Sequence, residues 1–122
     1  MNTKSIEQFE NYSFDKLVEI FQNKIFTLPS HFNKSGRESS ENALEFFYTN
    51  FHKFTTSFTN ESEDDIDTLF VFYKIAPFYV GFGLCEVVQL NNSKKQRIQI
   101  TKLGSSFYAM LEAKNIMNNL NL

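Results

Sequence analysis

Apolar residues recur at intervals of three and four along most of this chain, the spacing of one face of a helix. This periodicity predicts four helices, at residues 13–27, 40–58, 63–76 and 102–117. Ser13 is placed to cap the first helix, which must end before Pro29, because the residue ahead of a proline avoids the helical region. Helices are therefore expected to form most of the fold.

The second helix carries the strongest apolar stripe. Its members are Leu44, Phe47, Phe51, Phe54 and Phe58. This spacing is typical of a helix packed along another helix, either inside the core or against a second copy of the chain. Phe46 and Tyr48 flank the stripe and widen it, so the apolar face is broad enough to include a protein interface.

The pattern changes in the last third of the chain. Residues 84–90 form a short stretch with β-branched side chains, and residues 91–96 are polar. In residues 97–101, apolar side chains alternate with polar ones. This order predicts a β-hairpin over residues 84–101. Before it, Pro77 either breaks the third helix or begins a short new one, since a proline at the start of a helix loses no hydrogen bond. The predicted fold is a single domain over residues 1–122, mainly α with a small β-hairpin (α+β).

Composition sets further limits. The chain has 122 residues, 42% of them hydrophobic, with 15 Phe, which is enough for one domain with an aromatic core. Its net charge is -2, whereas nucleic-acid-binding domains are usually basic. The charges are segregated, however: acidic residues gather at 61–67 and basic residues at 94–102. A local basic surface is therefore compatible with the acidic total.

Several functional classes find no support in the sequence. There is no paired nucleophile and base, no phosphate-binding loop and no metal-ligand spacing, so we expect neither enzymatic activity nor a metal or cofactor, and no small-molecule ligand is evident. Cys85 is the only cysteine, which excludes an intrachain disulfide. No stretch of about 20 apolar residues is present. These features predict a cytoplasmic protein without a membrane span.

Three short elements around the hairpin resemble the wing of winged-helix transcription regulators, most closely the MarR-like group. They are Gly83-Leu84-Cys85-Glu86, Lys94-Lys95-Gln96-Arg97 and Ile100-Thr101-Lys102-Leu103-Gly104. The resemblance covers about a quarter of the chain. It implies a winged-helix-like domain and a homodimer that binds DNA through Lys94, Lys95, Arg97 and Lys102. Contacts from such a hairpin go mainly to the DNA backbone and carry little sequence information.

The chain departs from that family just before the hairpin. Residues 72–82 occupy the place of the family's recognition helix, yet they are mostly apolar or aromatic and include Pro77. Reading base edges requires outward polar side chains, which Phe78 and Tyr79 cannot supply. The alternative is therefore a protein-interaction or dimerisation module. Its expected interface residues are Phe46, Tyr48, Phe78 and Tyr79.

Overall fold

The computed structural model describes residues 8–9, 12–32, 36–56, 58–60, 66–90 and 95–120. Helices dominate this part of the chain and are joined by three two-stranded antiparallel ribbons, so the predicted α+β class with a small hairpin is confirmed. The strands are β1 (Gln8–Phe9), β2 (Tyr12–Ser13), β3 (Ile25–Leu28), β4 (Ser39–Asn42), β5 (Cys85–Gln89) and β6 (Gln96–Ile100). The α-helices are α1 (Phe14–Asn23), α2 (Ala43–Thr49), α3 (Lys53–Thr56), α4 (Ile66–Phe70), α5 (Ala76–Gly81), α6 (Lys102–Ala113) and α7 (Ile116–Leu120).

The first helix begins where the sequence predicts but ends earlier. The hydroxyl oxygen of Ser13 accepts a hydrogen bond from the backbone N–H of Lys16 at 3.2 Å, which caps α1. The helix ends at Asn23 because Lys24 is extended and the next four residues form β3. Strand β3 pairs with β4, so the prediction of a helix over 13–27 is wrong for its last residues, which belong to β3.

The predicted helix over 40–58 is wrong in a similar way. Its first residues belong to β4, and the cap is the side chain of Asn42, which accepts a hydrogen bond from the N–H of Glu45 at 2.8 Å. The helical part then divides into α2 and α3. At the break, the Asn50 side chain donates to the carbonyl of Phe46 at 3.0 Å, a side-chain bond that competes with helical continuation.

The apolar stripe of that region faces the core of the same chain. Leu44, Phe47, Phe54 and Phe58 are buried, whereas Phe51 lies in the break between α2 and α3 and is only half-buried. The stripe therefore packs inside the domain, and the alternative in which it forms a seam with a second copy is wrong for these four residues.

The third predicted helix, 63–76, extends further than expected. Residues 61–65 lie outside the described part, and the helical run from Ile66 continues to Gly81 through a π-helical turn at Val71–Ile75. The N–H of Ala76 bonds the carbonyl of Val71, five residues back, which shifts the register just before Pro77. Pro77 then lies in the first turn of α5, where the absence of its backbone N–H breaks no helical hydrogen bond.

The C-terminal helix is also divided. Helix α6 ends at Ala113, Asn115 adopts a left-handed conformation with φ of 56°, and α7 follows. Asn tolerates this conformation better than most residues, which explains why the predicted helix over 102–117 is interrupted there.

Aromatic rings fill the centre of the domain. Phe21, Phe47, Phe54, Phe107 and Tyr79 are fully buried, as expected for a core built from Phe. The Tyr79 hydroxyl donates a hydrogen bond to the carbonyl of Ala43 at 2.8 Å, so its polar atom is satisfied inside the core. This contact joins α5 to the start of α2.

Helix α6 is held against the hairpin by a very close contact. The Thr101 hydroxyl donates to the carbonyl of Gly83 at 2.6 Å and accepts from the N–H of Gly104 at 3.0 Å. Gly83 has φ of 81°, a conformation that favours glycine. A Cβ on Gly104 would lie 2.1 Å from the carbonyl oxygen of Leu84, so only glycine permits this approach.

We expect Gly104→Ala to lower the free energy of unfolding by about 1–3 kcal/mol, because the added methyl group must push α6 away from the Leu84 backbone. Gly81→Ala is the matched control, since nothing lies within 4 Å of a Cβ at that position and the residue is helical. Urea unfolding followed by circular dichroism measures both. Equal stabilities of the two variants would contradict the close contact.

Candidate nucleic-acid interface

A third segment braces the β5–β6 hairpin. Residues 58–60 run antiparallel to β6 along the edge that β5 leaves open, with a bridge between Thr59 and Arg97. The N–H of Ile98 donates to the carbonyl of Phe58 at 2.9 Å. Strand β6 is therefore the central strand of a small three-stranded arrangement, which is more rigid than an isolated hairpin.

Asn60 extends this brace to the outer end of the hairpin. Its N–H donates to the carbonyl of Gln96 at 3.1 Å, and its side-chain oxygen accepts from the N–H of Gln96 at 2.8 Å. Beyond this point, the N–H of Leu90 donates to the carbonyl of Lys95 at 2.9 Å and closes the last described rung. Leu90, Lys95 and Gln96, the described residues next to the turn, are thus held by backbone hydrogen bonds.

The predicted basic residues occupy different ends of β6. Lys95 is exposed at the outer end, and Lys102 is exposed in the first turn of α6, at the inner end. The six residues between them are extended and separate them by roughly 20 Å. Lys94 lies outside the described residues. The described cations therefore form an elongated line along the hairpin and not a compact cluster at its tip.

Arg97 differs from the other predicted cations because it is held by its neighbours. Its Nη2 donates to the side-chain oxygen of Gln99 at 3.1 Å, and Gln99 donates in turn to the carboxylate of Glu86 at 3.2 Å. Its Nε is buried and has no hydrogen-bond partner within the described residues. Arg97 lies within β6 and is half-buried, so it is not presented at the outer end of the hairpin as Lys95 is.

The segment that precedes the hairpin packs mostly inward. Phe72, Ile75 and Tyr79 are buried, while Tyr73 is 57% exposed and Phe78 is half-buried. Phe78 packs on Phe21 with ring centroids 5.2 Å apart. Burial of this face follows from the same apolar spacing that makes the segment helical, and it leaves no row of polar side chains suited to reading base edges.

Two predicted interface residues are part of the core. Phe46 is 3% exposed and Tyr79 is fully buried, so neither can supply an interface with a protein partner. The apolar periodicity that identified them describes a helix face, and here that face is covered by the rest of the domain. Tyr48 and Phe78 remain partly accessible.

Tyr48 belongs to an aromatic surface that the sequence did not reveal, which we define as Tyr48, Phe51, His52 and Tyr108. The ring of Tyr108 stacks on Phe51 with centroids 3.9 Å apart and on Tyr48 with centroids 5.2 Å apart. Tyr48 donates a hydrogen bond to Glu112, and this bond raises the pKa of the Tyr48 hydroxyl. Sequence separation concealed the cluster, because its residues come from α2, from the α2–α3 break and from α6.

Cys85 opens β5 with a buried side chain, as its apolar neighbours predict. Burial raises the pKa of its thiol to about 12. A thiol of this kind is not a nucleophile near neutral pH, which agrees with a structural role at the base of the hairpin.

Within the described ranges, no group of three or more His, Cys, Asp or Glu side chains is arranged to hold a metal ion. None of the helices in those ranges is both long and apolar enough to cross a bilayer.

No known protein family, no curated protein and no solved structure matches this chain.

The burial of Cys85 leads to a prediction about its reactivity. We expect iodoacetamide at about pH 8 to alkylate the folded protein at least about 100-fold more slowly than the protein unfolded in urea, because little thiolate forms in the fold. Mass spectrometry over time measures both rates. Similar rates would show that the base of the hairpin is open to solvent.

Proposed function

We propose that this protein is a winged-helix-like module that contacts the backbone of nucleic acid through its β5–β6 hairpin. The observation that carries the proposal is the rigid presentation of Lys95. Residues 58–60 hold one side of β6, and the Thr101–Gly104 junction holds its inner end, so the exposed cation stands on a fixed support. Because the backbone beneath Lys95 is already ordered, binding a phosphate costs only the ordering of the lysine side chain itself.

The proposed contacts are electrostatic and independent of base sequence. Lys95 and Lys102 mark the two ends of the line, with Lys94 as an expected contributor from the turn. The roughly 20 Å between the two described lysines matches about six base-pair steps of a duplex, so both can reach phosphates of the same strand or groove. Arg97 supports the hairpin through Gln99 instead of binding directly.

The acidic total charge shapes the expected affinity. At a net charge of -2, the molecule as a whole is not attracted to the negative charge of a nucleic acid. Binding must therefore come from the local line of cations. We therefore expect weak binding that is detectable at low salt. The proposal includes a cytoplasmic location, which agrees with the unpaired thiol of Cys85.

A pair of charge-matched double variants tests the proposal. Lys95→Gln with Lys102→Gln should weaken binding to a fluorescent DNA duplex about tenfold at low salt. It should also reduce the salt slope by about 2, since each lost phosphate contact removes about 0.9. Fluorescence anisotropy between about 50 and 200 mM salt measures both quantities.

The control carries the same charge change elsewhere. Lys16→Gln with Lys114→Gln removes two cations from α1 and from the end of α6, where Lys16 pairs with Glu19 and Lys114 lies over the ring of Phe14. Its affinity should stay close to that of the parent protein. If both double variants lose the same affinity, binding is non-specific attraction to total charge and the hairpin has no special role.

The aromatic surface supports a second candidate function, a protein interface or homodimer contact. Tyr48, Phe51 and Tyr108 are stacked on one another while each stays partly accessible, which presents a pre-ordered apolar surface. Aromatic residues held in this way contribute much of the binding energy at protein interfaces, because they lose little freedom on contact.

Sedimentation velocity at increasing concentration tests this candidate. We expect the parent protein to self-associate and Tyr108→Ser to weaken the association at least about tenfold, since an interfacial ring contributes about 2 kcal/mol or more. Tyr73→Ser is the control, because Tyr73 is the 57% exposed ring of another helix. A parent protein that stays monomeric, or a Tyr73→Ser variant with the same loss, would argue against self-association through this surface.

A further inference from the structure

A cleft of about 530 Å³ opens on the domain away from the residues assigned to DNA or partner contact. Strands β3 and β4, helices α2, α3 and α4 and the Phe58 segment all contribute to its lining. This volume falls within the range of about 300–1,000 Å³ that is usual for sites of small molecules. The cleft is therefore large enough for a ligand with a single ring and a short side chain.

Aromatic rings form part of the lining of the cleft, beside polar and charged side chains. Phe32, Phe46 and Phe58 line it, and the last two are almost fully buried, so they form a fixed apolar floor. Phe32 packs edge-on against Phe70, with ring centroids 5.5 Å apart. Such rings favour an apolar or aromatic ligand body, and their faces also attract a cation.

Glu41 gives the cleft its chemical character. Its side chain lies in the cleft wall, and burial, together with the nearby negative charge of Glu45, raises its pKa, while the Thr49 hydroxyl opposes that rise. No Lys or Arg nitrogen of the described residues lies within 4.0 Å of its carboxylate. A partly buried carboxylate without a counter-ion is unfavourable, and a bound cation would relieve that cost.

The remaining charged groups also favour a cation. Among the lining residues that the structure describes, Asp67 adds a second carboxylate and Lys53 is the one cation, with its side chain exposed at the first residue of α3. The lining named here therefore carries a net negative charge when both carboxylates are ionised.

We infer that the cleft binds a small organic cation, a protonated amine attached to an aromatic or branched apolar body, with the Glu41 carboxylate as its counter-ion. The body packs on Phe46 and Phe58, and the ammonium group lies at the half-buried wall. This inference is independent of the proposed DNA contact, since none of the lining residues that the structure describes belongs to the hairpin.

Three matched probes test the inference: 2-phenylethylamine, 2-phenylethanol and phenylacetate. They share a ring and a short chain and differ in charge. In titrations followed by the backbone amide signals of the full chain, we expect the amine to shift the signals of Asn50, Thr68 and Val71, which line the cleft. The neutral alcohol should bind at least about tenfold more weakly, because it lacks the charged hydrogen bond, and phenylacetate more weakly still.

Two substitutions of opposite expected effect make the test specific. Glu41→Gln keeps the shape of the side chain and should weaken amine binding about tenfold while leaving the alcohol unchanged. Lys53→Gln should strengthen amine binding, since it removes a repulsive charge from the lining. Glu38→Gln, an exposed carboxylate that does not line the cleft, is the control for net charge.

Equal affinities for the amine and the alcohol, or no effect of Glu41→Gln on a folded protein, would overturn the inference. Preferential binding of phenylacetate would also overturn it and would assign the cleft to anions through Lys53. An absence of amide shifts with all three probes would show that the cleft takes no ligand of this class.

Discussion

The contact between Gly104 and the carbonyl of Leu84 determines how the two halves of the C-terminal region fit together. Because the helix backbone approaches the strand so closely, the Thr101 side chain can bond Gly83 and cap α6 at the same time. That approach also places Phe107 in the core, where its ring packs 5.4 Å from Phe21. The direction of the hairpin and the completeness of the core thus depend on one position without a side chain.

The hairpin owes its second support to a segment that has almost no regular structure. Phe58 contributes its ring to the core and its carbonyl to Ile98, while Asn60 uses both backbone and side chain to bond Gln96. A short connection between two helices therefore acts as a third strand. It also links the hairpin to the cleft, because the ring of Phe58 lines the cleft wall. Phe58 thus supports the hairpin through its backbone and lines the cleft with its ring.

Local signals in the sequence were reliable, and signals that depend on distant contacts were not. The cap at Ser13 and the strands of the hairpin follow from neighbouring residues alone, and the structure contains both. Most of β3 and β4 falls inside the helices predicted over 13–27 and 40–58, because pairing between strands across a loop leaves no trace in the apolar periodicity. The same limit hid the aromatic surface and the cleft, and it placed buried Phe46 at an interface, since an apolar face does not reveal what covers it.

Mapping of backbone amide shifts during titration with a short DNA duplex locates the contact without any substitution. We expect the shifts to concentrate at the outer end of the hairpin, around Lys95 and Gln96, and in the first turn of α6 at Lys102. We expect little change around Tyr108. Shifts confined to the aromatic surface, or an absence of shifts at low salt, would contradict the assignment of the hairpin to nucleic acid.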